Sequence, residues 1–189
     1  MPLSAPSARM PLHHRSISIR GYKRDDGLFE VEGHLHDTKD YSFQTVNGER
    51  PAGAPVHSMW LRITYDTTMT IVGAEAVTDA MPYPGYCETI APKYSLLIGM
   101  SLRPGFGEKV RKMFGGIKGC THLTDLIGVV ATTAFQTLAG QMAQDGEKKP
   151  FQLDRCHALA ASSAAVQKHY PKWFRAASIA GEGDTPHKD

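Results

Sequence analysis

Cysteine is scarce: three in 189 residues, an odd and sparse set for a disulfide framework, in a chain long enough to hold its core without one. Reduced thiols, and with them a cytoplasmic location, are the expectation. No apolar run approaches the roughly 20 residues that span a bilayer; the longest stretches, 96–100 and 127–135, are short or broken by Gly and Thr. The opening MPLSAPSARMPLHHR has Pro and Ser where a signal peptide needs an apolar block, so neither membrane nor export is expected. Charge of one sign is also missing. The net charge is +2 and no dense basic stripe occurs, which sets nucleic acid aside as a partner. There is no P-loop, no GxGxxG fingerprint, no CxxC and no internal repeat.

What is present is ordinary globular composition, 41% hydrophobic and 21% charged. The expected organisation is a flexible arm over residues 1–14, a single domain over 15–176 and a flexible tail over 177–189.

Period-two alternation fills the first half. Ser16-Ile17-Ser18-Ile19 alternates and is followed by the turn cluster Arg24-Asp25-Asp26-Gly27. In LFEVEGHLHD, Phe29, Val31, Gly33 and Leu35 share one face while Glu30, Glu32, His34 and His36 share the other. Beyond a Gly/Pro-rich loop, His57, Met59, Leu61, Ile63 and Tyr65 lie on one face, and MTIVGAEAVTD supplies a fourth strand. Short connections between strands favour antiparallel pairing. After Pro82, Pro84 and Gly85 helical spacing takes over: near Glu88–Leu97, near Phe106–Phe114, over 121–141, and over 154–170 with Asp154 as N-cap and Pro171 as stop. Strands followed by helices is the α+β pattern: a small antiparallel sheet of about four strands with a helical half on one face.

The cysteines stand at element boundaries. Cys87 follows the last strand, Cys120 opens the long helix beside His122, and Cys156 opens the last expected helix beside His157. Helix N-termini favour thiolate, and thiolate with imidazole is a zinc-type donor set, so Cys87, Cys120, Cys156 and His157 are candidate metal ligands; packing is the ordinary alternative. His57 sits on an apolar face, where an imidazole is either a satisfied core group or an acid–base catalyst. His122, Val129, Thr133 and Gln136 form a polar stripe along the long helix, either a cavity wall or a solvated flank. Asp37-Thr38-Lys39-Asp40 is turn chemistry first.

Taken together, Arg24-x-Asp26-Gly27, Asp37-Thr38-Lys39, His57-x-Met59-Trp60-x-Arg62, Pro82-Tyr83 with Cys87, Gly119-Cys120-Thr121-His122-Leu123, Ala131-Thr132-Thr133-Ala134-x-Gln136-Thr137 and Asp154-x-Cys156-His157-Ala158-Leu159 resemble a bacterial family catalogued as domain of unknown function 2889, over about residues 13–174. The resemblance implies an association with aromatic-compound catabolism. In architecture the chain also resembles the U-type iron–sulfur scaffold proteins, whose thiols in the order of Cys87, Gly119-Cys120 and Cys156 bind zinc or a nascent cluster. It differs from them in having Glu88-Thr89-Ile90 after the first cysteine, and Arg155 before the third with His157 beyond it.

The leading expectation is a small-molecule enzyme without a redox cofactor, a lyase or hydrolase acting on an aromatic-pathway intermediate. It assigns acid–base work to His57 and His122, a ligand or nucleophile role to Cys120, and substrate contacts to Arg62, Arg155, Thr133 and Gln136. Its cofactor is none or zinc, and a homo-oligomer stays open. The rival is a zinc- or iron–sulfur-carrying module on Cys87, Cys120 and Cys156. A structural subunit with an apolar patch around Trp173 and Phe174 is the third reading.

Overall fold

The alternation at 29–37 and 57–65 builds the two central strands of a sheet with one dry face. The computed structural model describes residues 3–139, 141 and 149–176. Strands β1 (His13–Lys23), β2 (Phe29–Lys39), β5 (Pro55–Tyr65) and β6 (Ile71–Ala80) form an antiparallel sheet in the order β1-β2-β5-β6. Two residues expected in the arm, His13 and His14, therefore open β1. Two short strands, β3 (Phe43–Thr45) and β4 (Gly48–Arg50), form a separate hairpin. The β1–β2 turn closes through Gly27 at φ +86°, a conformation open to glycine, with the Asp26 carboxylate accepting from the Leu28 amide.

Helices follow the strands, and the chain is α+β. A 3-10 segment over Glu88–Leu97 contains Pro92 and lies beside β6; α1 (Phe106–Phe114) and α2 (Thr121–Ala139) come next. Leu123, Leu126, Ile127, Val130, Ala134 and Leu138 of α2 are buried on the inner sheet face with Val31, Leu35, Met59, Leu61, Ile63 and Tyr65. Two tyrosines tie α2 in place. Tyr65 Oη donates to the Ala134 carbonyl at 2.9 Å, and burial pushes its pKa up to about 12 despite a hydrogen bond with Thr137. Tyr94 Oη donates to the Cys120 carbonyl and accepts from the Cys120 amide, each at 3.0 Å, which fixes the first turn of α2.

Glycine sets how closely α2 approaches the sheet. A Cβ on Gly21 of β1 would land on the Thr137 side chain, whereas one on Gly128, in the exposed middle of α2, would meet nothing within 4 Å. Gly21→Ala is therefore expected to destabilise by about 1–3 kcal/mol through overpacking. Gly128→Ala is expected to stabilise by about 1 kcal/mol through helix propensity alone. Thermal unfolding of the two variants checks the opposite signs; equal shifts would contradict this packing.

The chain divides into two compact units, Met1–Gln141 and Met142–Asp189. In the second unit the helix expected over 154–170 is replaced by a turn of 3-10 helix, His157–Leu159, and a short α3, Ala164–His169. Asp154 adopts φ +61°, so it cannot cap a helix running on from it; its carboxylate instead accepts from the Ala161 amide at 2.7 Å. Ser163 is the N-cap, accepting from the Val166 amide. Trp173 and Phe174 are half-buried here, with the Lys172 ammonium over the Trp173 ring. The expected tail over 177–189 lies outside the described residues.

Candidate functional site: a carboxylate with two imidazoles

Strand register assembles the site. On the inner face Arg15 of β1 stands directly opposite Asp37 of β2, and Asp37 stands directly opposite His57 of β5. The pairing shifts just past this row, between Asp37 and Thr38, an irregularity of the kind that re-aims side chains at sheet margins. The first turn of α2 brings His122 to the same place.

Asp37 is the centre. Its side chain is only 1% exposed, yet it is charged. Arg15 grips it with two parallel hydrogen bonds, Nε to Oδ1 at 2.7 Å and Nη2 to Oδ2 at 2.8 Å. His57 Nδ1 lies 3.0 Å from Oδ2, His122 Nε2 3.7 Å from the same oxygen, and His13 Nε2 3.5 Å from Oδ1. Desolvation alone would raise the Asp37 pKa; the Arg15 hydrogen bonds and charge, with smaller contributions from His57, outweigh it and hold it at about 2.

Because Asp37 is ionised, it accepts from Nδ1–H of His57, which fixes that tautomer and leaves Nε2 as a basic lone pair. The His122 ring lies against His57 with centroids 3.7 Å apart and planes tilted by 32°. Desolvation lowers both imidazole pKa values below the ordinary 6.5. At His57 Asp37 partly opposes this, and at His122 the neighbouring His57 adds to it. Both rings are thus neutral at neutral pH. The cluster is not a dry core: His57 keeps 14% of its side chain exposed and His122 23%.

Cys120 borders the cluster, its Sγ 3.9 Å from His122 Nδ1 and 3.8 Å from Met59 Sδ. Among the described residues, Asp37, His57 and His122 form the one group with metal-ligand spacing, its donor atoms within 4.8 Å of one another, and no thiol belongs to it. A divalent cation there would sit beside the Arg15 guanidinium, which already occupies both Asp37 oxygens. The donor set suits zinc, but the fixed positive charge opposes it.

The other expected site residues do not gather at this point. Arg62 alternates onto the opposite face of the sheet, where Glu32 and Glu75 take up its guanidinium. Thr133 and Gln136 lie three to four turns beyond His122 along α2, about 16 Å or more away at 1.5 Å per residue. The Thr133 hydroxyl is spent on the Val129 carbonyl, and Gln136 is exposed. Cys87 is half-buried and precedes the 3-10 segment. Arg155, Cys156 and His157 belong to the second unit and are exposed there; Cys156 opens a single 3-10 turn, so the long-helix dipole expected to activate it is missing.

Asp37 and Arg15 are the residues that sequence reasoning missed. Continuing the alternation of Phe29, Val31, Gly33 and Leu35 by one step points Asp37 inward, and stepping back from Ile17 and Ile19 does the same for Arg15.

Residues 13–136, well over half of the chain and all within the first unit, match the family described as Protein of unknown function (DUF2889). The match takes in Arg15, Asp37, His57, Cys120 and His122. No curated protein and no solved structure matches, and the likeness to the U-type scaffold proteins is not confirmed. The chain belongs to the DUF2889 family.

Proposed function

We propose that the protein is a small-molecule enzyme of lyase or hydrolase type, working by acid–base chemistry at Asp37, His57 and His122. The observation that carries this reading is the 3.0 Å contact between His57 Nδ1 and a buried, ionised carboxylate held from behind by Arg15. In that arrangement His57 Nε2 takes a proton from a substrate carbon or a water, and the resulting imidazolium is stabilised by Asp37. The His57 imidazolium then returns that proton to the leaving group, with the neutral His122 ring beside it. Cys120 borders the site as a soft wall or second nucleophile. The aromatic character of the substrate rests on the family context alone.

The test is turnover of a panel of aromatic acids, aldehydes and esters followed by mass spectrometry, with wild type beside His57→Gln and His122→Gln. Products formed equally by all three proteins would end the reading. Zinc on the same three side chains is the second reading, favoured by their donor-atom spacing. Acid–base chemistry without metal predicts that dialysis against a chelator leaves turnover unchanged; the zinc reading predicts loss on dialysis and recovery on adding zinc, measured as rate against metal content.

A further inference from the structure

Among the described residues Arg50 is the one half-buried arginine. It ends β4, and its guanidinium is anchored on backbone: Nη1 donates to the Pro55 and Val56 carbonyls at 2.7 and 3.3 Å, and Nη2 to the Met81 carbonyl at 3.3 Å. Arg15, Arg24 and Arg62 each have two carboxylates; among the described residues none pairs with Arg50. A half-buried cation without a counter-ion has given up hydration that neutral carbonyls only partly replace.

The charge is also well placed. Val56, whose carbonyl holds Arg50, is the residue before His57, and the guanidinium is near enough to disfavour protonation of that imidazole. A second half-buried cation, at the end of β2, lies over the start of the same hairpin. Lys39 Nζ lies 5.3 Å over the Tyr41 ring and 5.4 Å over Phe43, and Phe43 pairs with Arg50 across β3 and β4.

We infer that the substrate of this site is an organic carboxylate and that Arg50 is its anion receptor. The inference rests on the acid–base reading of the His57 centre and deepens it by naming the substrate class. Three of the five guanidinium N–H groups are used by backbone carbonyls, leaving Nε–H and one Nη2–H as a donor pair. A carboxylate accepting both supplies the missing counter-charge beside the strand that carries His57. No bond is made or broken in this step, and the carboxylate stays ionised throughout.

Benzoate and its neutral isostere benzamide are the probes, titrated into isotope-labelled full-length protein while the His57 and His122 imidazole signals are followed by NMR. Benzoate should shift them saturably and bind at least about tenfold more tightly than benzamide, as expected for a charge-assisted pair. Arg50→Gln keeps an amide donor for the carbonyls and so protects the fold; it should abolish the preference for benzoate, and Arg50→Lys should restore part of it. His57→Gln should still bind benzoate, so failure of catalysis and failure of anion binding separate cleanly. Equal binding of the two probes, no benzoate binding by wild type, or benzoate binding unchanged in folded Arg50→Gln would each overturn the assignment.

Discussion

Asp37→Asn is expected to cost about 2–3 kcal/mol of stability at pH 7 and to remove the Asp37 share of the acid-sensitive limb of the stability curve. The carboxylate is buried between Arg15 and His57 and is held by three hydrogen bonds shorter than 3.1 Å. An asparagine of the same shape offers one acceptor oxygen, and because Arg15 donates to both carboxylate oxygens its NH2 group faces the guanidinium whichever way it is turned, donor against donor. The loss stays below that of a fully buried pair because the Arg15 side chain is 35% exposed and rehydrates.

The pH dependence has a definite sign. The folded pKa of Asp37 is about 2 against an ordinary 3.8, so folding favours the ionised form. This contribution is complete above about pH 4 and disappears as the pH falls through 2, and a shift of this size corresponds to about 2 kcal/mol. Urea unfolding at pH 7, 4 and 2.5 separates the cases. Wild type should lose stability between the last two points by more than Asp37→Asn does. Parallel curves would mean that the carboxylate is not held as described.

Why the fold was legible and half of the site was not comes down to what each depends on. The strands of 29–37 and 57–65 declare themselves because one face alternates strictly, and α2 because its apolar residues recur at three- and four-residue steps; both are local patterns. His57 and His122 could be singled out for the same reason, one by its face and the other by its place beside Cys120. Asp37 lies in a run, Asp37-Thr38-Lys39-Asp40, whose composition equally fits a turn, and what makes it a buried site residue is pairing with Arg15 and His57 in two different strands. Register is a tertiary fact. Arg62 illustrates the converse: its type suits anion binding, but one step of a two-residue period places it on the wrong face. The last helix fails for a local reason of another kind. Asp154 in a left-handed conformation has the composition of an N-cap without its geometry, and Ser163 takes the role instead.

The largest effect expected on activity is at His57. His57→Gln should lower kcat/KM by about two to four orders of magnitude, the range supplied by a positioned general base, with little change in unfolding midpoint at pH 7. The groups around this imidazole come from four elements: Arg15 on β1, Asp37 on β2, Arg50 on β4 and His122 at the start of α2. Burial lowers the His57 pKa, the Asp37 hydrogen bond and charge raise it in part, and the two arginines lower it again. The base form is therefore the resting form at neutral pH. The rate should be level there and fall as the pH drops through a value below 6.5. In Asp37→Asn the upward pull is gone, so the fall should move to still lower pH, while the plateau itself drops because no charged acceptor holds Nδ1–H. The same lowering acts on stability: the unfolded chain binds this proton first, so the fold weakens as the pH falls below about 6.5, and His57→Gln should lack that part of the slope. A pH–rate profile for wild type and Asp37→Asn, beside NMR titration of the two imidazoles, tests the direction of each shift. An acid limb that moves up rather than down in Asp37→Asn would show that His57 is not the base that Asp37 holds.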